Sequence, residues 1–317
     1  MDPLVRRGCS STGPKLSRTG TCRSSPLIHS PFDHAGFASL DDISTPVWQS
    51  IFSHLESVQT EFLATDPHTP DYPWPRDPLH NFIRVWEYPF VYHHLQSLIC
   101  DVSSGRLPQV VDLGSGATFF PFAVAQLGCN VLAVDTDSRA ISSVDRAIGM
   151  LSPIRGAVTS LLSDARSLAL ESDSSDALYC VSVLEHIPNF EDVISEIHRI
   201  LRPGGLFVLT FDIGLSSKWE LGPAAFRRLQ NALLASFTPV YPEEVIHPLR
   251  VLTSENSIYP LYPRRSTLNL GTLFHFLLAA FERLRTPGSL MDQLPPGRLL
   301  ATTYGTCLRK GGSPPAA

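Results

Sequence analysis

One stretch constrains the fold more than any other part of the chain: a short apolar run with an acid near its end, followed by two glycines. The run is Val110-Val111-Asp112-Leu113, and Gly114-Ser115-Gly116 follows it before an apolar segment with helical spacing. Glycine has no Cβ, so Gly114 and Gly116 permit a sharp turn and close approach of a ligand to the backbone. Strand, tight turn and helix in this order are typical of nucleotide-type binding sites in α/β sheets. An ordinary strand-to-helix turn has the same pattern, so the segments downstream decide between the two.

Apolar strand-like runs and amphipathic helical stretches alternate through the middle of the chain, which is the pattern of an α/β fold. We expect core strands over residues 109–113, 130–134, 157–162, 176–181 and 206–211, and a late strand over 299–308. We expect helices over residues 119–127, 138–148 and 189–201, and in the flanks over 44–63, 82–99, 224–237 and 272–284. The prediction is a Rossmann-like, mostly parallel, seven-stranded sheet with helices on both faces, an N-terminal helical segment and a C-terminal helical cap insertion.

The flanks of this core differ from it in composition. Residues 1–38 are rich in Ser, Gly, Pro and Arg and almost free of acids, which favours a disordered tail, with an organellar transit peptide as the alternative. Residues 39–105 form the N-terminal helical segment, 106–212 the core, 213–309 a substrate cap with late strands, and 310–317 a tail. The helix over 82–99 precedes the first core strand, and either packing on the sheet edge or folding over a ligand pocket suits it.

Composition excludes several classes of function. The net charge is −5 and the pI is about 6.1, so no general basic field favours nucleic acid. The 6 cysteines show no CxxC spacing, which favours a reducing compartment such as the cytoplasm over a disulfide framework or a zinc site. No apolar run approaches the roughly 18 residues that a membrane span needs, so no membrane association is expected.

Five segments carry a resemblance to a known family, and they occur in its order. They are Asp112-Leu113-Gly114-Ser115-Gly116, Ala133-Val134-Asp135, Ser163-Asp164-Ala165, Ser182-Val183-Leu184-Glu185-His186-Ile187 and Leu201-Arg202-Pro203-Gly204-Gly205. On these segments residues 109–212 resemble the core of class I methyltransferases that use S-adenosylmethionine (SAM), in the broad type 11 group. The match covers about a third of the chain and leaves out the flanks, where this family sets its choice of substrate.

The resemblance implies a binding role for several strand-end residues. Asp135 corresponds to the acid that accepts both ribose hydroxyls, or it simply caps the next helix. Asp164 corresponds to the acid that takes the adenine amino group, with the Ala165 N–H facing a ring nitrogen, although a surface turn would also place an aspartate there. Thr136 would border the adenine. The expected SAM-binding residues are Asp112, Gly114, Ser115, Gly116, Asp135, Thr136, Asp164, Ala165, Ser182 and Val183, with Arg84, Trp86 and Tyr88 closing the methionine end.

The chain also departs from related patterns. Thr118 stands where the family often has a third glycine, and Phe119 stands where a dinucleotide-binding loop needs Gly or Ala. Some relatives bind a divalent metal through a Glu-His pair and a Glu three residues before it. Here the pair is Glu185-His186 and the earlier position is Ser182, so no metal is expected. His186 is a possible general base, or a scaffold residue at the start of a helix.

These observations predict a SAM-dependent methyltransferase that acts on a small or medium organic acceptor, with an O- or N-nucleophile. The sulfonium is already a good leaving group, so holding nucleophile, carbon and sulfur in line can provide much of the catalysis. Two alternatives stay open: a SAM-binding module without turnover, and a dinucleotide-binding enzyme on a related sheet. Tyr241, Tyr259 and Tyr262 in the cap suit either packing or recognition of the acceptor.

Overall fold

The computed structural model describes residues 30–65, 72–75, 77–101, 105–151, 155–215, 221–261 and 300–311. Its helices are α1 (Pro46–Thr65), α2 (Arg84–Asp101), α3 (Phe120–Ala125), α4 (Ser138–Ile148), α5 (Phe190–Ile200) and α6 (Pro223–Ser236). Its strands are β1 (Gly36–Phe37), β2 (Gln109–Leu113), β3 (Asn130–Asp135), β4 (Ala157–Leu162), β5 (Ser175–Val181), β6 (Leu201–Gly214), β7 (Phe237–Pro239) and β8 (Ala301–Lys310). The helix expected over 272–284 lies outside the described residues.

The strands form one mostly parallel sheet, as predicted. The order is β1-β8-β6-β5-β2-β3-β4, and β2 to β6 run parallel to one another. β8 runs antiparallel to β6. The described sheet has 8 strands rather than the expected seven, because β1 and β7 both pair with the outer side of β8. They therefore share one position at the edge, and seven positions span the sheet.

Helices cover both faces of the sheet, which confirms the α/β prediction. Successive residues of a strand point to opposite faces, and Val110 belongs to the core cluster that holds α1 to α4, whereas Val111 belongs to the cluster with α5 and α6. The N-terminal helical segment thus packs on the sheet. Its contact with β8 is close, since a Cβ at Gly305 would lie 2.6 Å from the Trp86 ring. Trp86 is fully buried and donates to Asp42, so it belongs to the core and not to the mouth of a pocket.

Part of the expected N-terminal tail is instead paired with the sheet. Within residues 30–38, Gly36 pairs with Gly305 and Phe37 with Tyr304. The backbone of Ala35 also exchanges hydrogen bonds with Pro242 and Glu244, at 2.9 and 2.8 Å. The tail prediction failed here because two paired residues are too short to leave a pattern of alternation.

The described part of the expected cap lies along this same edge. Leu252 donates to the carbonyl of Ala38 at 2.8 Å, and the rings of Tyr241 and Tyr259 pack on His94 and His80, at 5.2 and 4.8 Å. These two tyrosines are packing residues, while Tyr262 lies outside the described residues. None of the described helices combines the length and apolar character needed to cross a bilayer.

Candidate active site

The glycine turn between β2 and α3 has the backbone that the sequence requires. Gly114 and Gly116 have φ of 76° and 59°, in the left-handed region that favours glycine. A Cβ at Gly114 would lie 2.3 Å from Val183 Cγ2. The N–H groups of Gly114 and Ser115 both donate to the carbonyl of Val134, at 2.8 and 3.0 Å. The turn is therefore fixed between the ends of β3 and β5.

Asp135, at the end of β3, joins this turn through its side chain. Its Oδ2 accepts from the N–H of Gly116 and its Oδ1 from the N–H of Asp137, both at 2.8 Å. Each carboxylate oxygen can accept a further hydrogen bond. Asp135 is thus a fixed pair of acceptors beside the glycine turn, which is what neighbouring ribose hydroxyls need.

The end of β4 is more open. Thr136 and Asp164 are exposed and Ala165 is half-buried. The carboxylate of Asp164 accepts from Arg166 Nε at 3.0 Å, and this guanidinium holds the pKa of Asp164 at about 2. The N–H of Ser163 donates to the Asp135 carbonyl at 3.0 Å, so the loop lies beside the end of β3. We call the ends of β2, β3 and β4 the glycine-loop half of the site.

The ends of β5 and β6 carry a buried carboxylate cluster, by which we mean Glu87, Glu185 and Asp212 with Arg84 and Ser182. Ser182 has φ of 50°, unusual for a residue other than glycine. Its hydroxyl donates to Glu87 Oε1 at 2.9 Å and lies 3.2 Å from Asp212 Oδ1. Arg84 donates to both Ser182 Oγ and Glu87 Oε2. The cluster therefore holds three carboxylates and only one guanidinium.

This charge imbalance perturbs the acids. Burial raises the pKa of Asp212 to about 7, the Glu87 charge adds to the rise, and Arg84 opposes it. Burial and the Asp212 charge raise the pKa of Glu185 well above its ordinary value. Glu185 Oε1 accepts from the Asp212 N–H at 2.8 Å, whereas its Oε2 has no hydrogen-bond partner among the described residues. The cluster can hold or release a proton near neutral pH.

Asp112 and Tyr88 lie beneath the glycine turn. Asp112 is 4% exposed, and burial raises its pKa to about 8, with a further rise from the charge of Asp135. The ring of Tyr88 stacks on Phe120 with centroids 4.5 Å apart. Arg84 Cζ lies 6.0 Å from the centroid of the Tyr88 ring. The first turn of α2, which carries Arg84, therefore lies beside both the glycine-loop half and the buried carboxylate cluster. The Ser115 hydroxyl is buried and has no partner within the described ranges, which leaves a polar group available to a ligand.

Two aromatic residues of the segment between α1 and α2 line the turn and the rim. The Tyr72 hydroxyl accepts from the N–H of Ala117 at 2.9 Å, and burial raises its pKa to about 12. Trp74 is 60% exposed, and its ring lies 5.9 Å from the ring of His186. His186 is exposed, so it lies at the rim and not in the buried cluster.

Sequence reasoning missed Tyr72, Glu87 and Asp212. Two of them carried a signal: Glu87 is an acid within an apolar aromatic stretch, and Asp212 ends a core strand just as Asp135 does. Tyr72 lies in a loop of Pro and Asp and carried none. The residues that the structure joins by direct contact are Gly114, Gly116, Asp135, Val183, Ser182 and Arg84.

The fold and these contacts define the class first: a Rossmann-like α/β protein with a polar site at the carboxyl ends of its parallel strands. Residues 111–209 match the family described as a methyltransferase domain. This match spans the core of the chain, from β2 to β6.

Two curated relatives that match part of the chain are named as methyltransferases. The chain is 32% identical over 126 residues to a ubiquinone biosynthesis O-methyltransferase of Xanthomonas oryzae, covering 38% of this chain and 52% of that protein. It is 32% identical over 111 residues to an uncharacterized methyltransferase of Mycobacterium leprae, covering 35% and 39%. The chain spans about half the length of these relatives, or less. The YcgJ protein of Bacillus subtilis superposes with a TM-score of 0.44 at 14% identity, covering 70% of this chain and all of that one.

Proposed function

We propose that the protein is a SAM-dependent methyltransferase acting on a small or medium organic acceptor through an oxygen or nitrogen nucleophile. One observation carries the proposal: the Asp135 carboxylate is bonded to the glycine turn at Gly116 and has acceptor capacity left on both oxygens. A fixed pair of hydrogen-bond acceptors would suit the ribose hydroxyls of SAM. The glycine turn beside it would let another part of SAM approach the protein backbone closely. The name of the Xanthomonas relative supports an oxygen nucleophile.

The chain's residues fit SAM in two parts. Asp135, with Thr136, Asp164 and Ala165 nearby, would bind the adenosine. Asp112, Gly114, Ser115, Gly116, Ser182 and Val183 would border the methionine part. Arg84 has 21% of its side chain exposed and would meet the carboxylate of SAM, with Tyr88 packed behind it. When bound, SAM supplies a methyl group on a sulfonium, which is a good leaving group.

The chain would contribute position and a proton acceptor. The larger contribution is to hold the methyl-accepting atom in line with the methyl carbon and the sulfur of SAM. If the group that receives the methyl is a hydroxyl, it must lose its proton to a base. Two groups at the carboxyl ends of the strands can act as that base: His186 at the rim and Asp212 within the buried carboxylate cluster. Asp212 has the pKa of a base that works near neutral pH. We favour Asp212 because it lies at the end of β6 beside Ser182, where the methionine end of SAM is expected.

Calorimetry with SAM and with NAD tests the binding step. We expect SAM to bind and NAD not to bind. Asp135→Asn should weaken SAM binding by tenfold or more, about 1.4 kcal/mol, because an amide offers one acceptor where the carboxylate offers two. Asp173→Asn is the matched control. Asp173 pairs with Lys310 and precedes β5, so it lies at the amino ends of the parallel strands and not at the carboxyl ends. Binding of NAD alone would favour the dinucleotide alternative.

A screen for labelled methyl transfer from SAM into metabolite pools tests turnover. We expect one labelled small product with the natural chain, and none with Asp135→Asn at low SAM concentration. SAM binding without any labelled product would favour the module without turnover.

A further inference from the structure

A second cluster of ligand-type side chains lies away from the active site. The later turns of α2 carry His93 and His94, which lie beside Asp33 in the segment before β1. One potential ligand atom from each of the three lies within 4.8 Å of the others. His93 Nε2 is 3.2 Å from Asp33 Oδ1. His93 follows Arg84 by nine residues, which places the cluster about 13 Å further along the helix.

His94 is held as metal-binding histidines are held. It is 2% exposed, and one ring nitrogen bonds to the backbone of Phe32. No group in the described part of the chain makes a hydrogen bond to its Nε2. In metal sites the second ring nitrogen of a histidine is fixed in this way, which leaves the first with its lone pair available.

The carboxylate is oriented as well. Asp33 Oδ2 accepts from the N–H of Ser30 at 3.3 Å, and the Tyr241 hydroxyl bonds to the same side chain. The ring of His94 lies 5.2 Å from the ring of Tyr241 and 5.2 Å from the ring of His93. Three segments distant in sequence thus meet at this point: the segment before β1, α2 and the residues after β7.

A hydrogen-bonded His–Asp pair beside a core histidine is the simpler explanation. It accounts for His93 and Asp33, but it gives the buried Nε2 of His94 no partner among the described residues. A cation at this point would have one ligand atom from each of the three side chains within reach. Two imidazole nitrogens and one carboxylate oxygen suit Zn²⁺, with water as a fourth ligand.

We propose that Asp33, His93 and His94 bind a divalent transition metal, foremost Zn²⁺, which ties the segment before β1 to α2. This site is separate from the Glu185-His186 pair, where no metal is expected.

Zinc titration of the full chain, stripped with a chelator beforehand, tests the proposal. The variants are Asp33→Asn and His93→Gln, both at half-buried positions. The matched control is His54→Gln, since the buried Nε2 of His54 on α1 also has no partner in the part of the chain that the structure describes, and His54 lies outside the cluster. Binding is followed by calorimetry and by the shift in Tm on adding Zn²⁺.

We expect the natural chain and His54→Gln to bind Zn²⁺ equally and to gain the same rise in Tm. Asp33→Asn and His93→Gln should each bind about tenfold more weakly or worse and lose the rise. Near-UV circular dichroism checks that the variants fold, and either folded variant suffices. Unchanged zinc affinity in a folded variant, or no binding by the natural chain at micromolar Zn²⁺, would overturn the proposal.

Discussion

The two halves of the candidate active site are built in different ways. The glycine-loop half is held by backbone groups, such as the N–H of Gly116 on Asp135, 19 residues away in sequence. The buried carboxylate cluster is held by side chains, such as Arg84 on Ser182, 98 residues apart. The first half suits recognition of a fixed, common ligand, whereas the second half places perturbed charges where the chemistry would occur. The fold supplies the backbone contacts of the glycine-loop half, and this chain adds the side-chain contacts of the buried carboxylate cluster.

Removing a charge from the buried carboxylate cluster should have the largest effect. Glu87→Gln leaves Arg84 facing an amide, and loss of one partner from a buried ion pair costs about 3 kcal/mol of unfolding free energy. Urea unfolding measures the change. Glu191→Gln is the control, because Glu191 pairs with Arg228 at an exposed site and should lose less than about 1 kcal/mol. Equal losses in the two variants would mean that the cluster is not a distinct unit.

The stability of the protein should fall as pH rises, through Asp112. Its pKa is about 8 in the folded state against an ordinary value of 3.8. Its contribution is therefore fully present below about pH 4 and is lost as the pH rises through about 8. One proton corresponds to at most about 1.4 kcal/mol per pH unit. Thermal unfolding from pH 5 to 9 should be less pH-dependent in Asp112→Asn than in the natural chain.

Asp176→Asn gives the opposite control for this pH series. The pKa of Asp176 is held at about 2, where the guanidinium of Arg106 and other donors outweigh its partial burial. Its contribution is present above the ordinary carboxyl pKa and stays constant from pH 5 to 9. This variant should lose the same free energy at each pH, and a parallel response of both variants would refute the role of Asp112.

Filling the glycine turn tests the contact between the two halves. Gly114→Ala places a Cβ against Val183 at φ of 76°, whereas Gly204→Ala at φ of 79° has nothing within 4 Å. Both share a backbone cost of about 1 kcal/mol, and Gly114→Ala should lose about 1–3 kcal/mol more. Urea unfolding measures both. The double change with Val183→Ala should recover part of the loss, and no recovery would argue against this contact.

The smallest expected effect concerns the segment between α1 and α2. Tyr72→Phe removes the acceptor for the N–H of Ala117 and should lower the unfolding free energy by about 1 kcal/mol. Tyr259→Phe, on α1's side of the molecule, is the control and should change little. SAM affinity measured on both variants sharpens the comparison, since only Tyr72 contacts the glycine turn.

The parts of this protein that sequence could predict are local. The strands at 109–113 and 157–162 and the helix at 138–148 match the predicted bounds, because periodicity and caps lie within a few residues. Asp135 was singled out at the end of the second core strand as an acid for the ribose hydroxyls, or as a helix cap, and its bond to the Gly116 N–H was not predicted. Arg84 was expected at the methionine end by position alone. The structure bonds it to Ser182, and its role toward SAM stays a prediction.

The parts that escaped prediction depend on distant pairing. Nothing within residues 30–38 shows that Gly36 pairs with Gly305, since the partner strand supplies the reason. Glu87 was not singled out because its partners Ser182 and Thr303 lie about one hundred and two hundred residues further along the chain. Domain bounds inferred from composition have the same weakness at chain ends.

The position of β8 makes the assembly of the sheet depend on a strand far along the chain. It fills the gap between β6 on one side and β1 and β7 on the other. A polypeptide interrupted before Ala301 would retain all five parallel strands but expose three unpaired strand edges together. Exposed edges recruit other chains, so such a fragment would be prone to aggregate even though its glycine turn and Asp135 were intact.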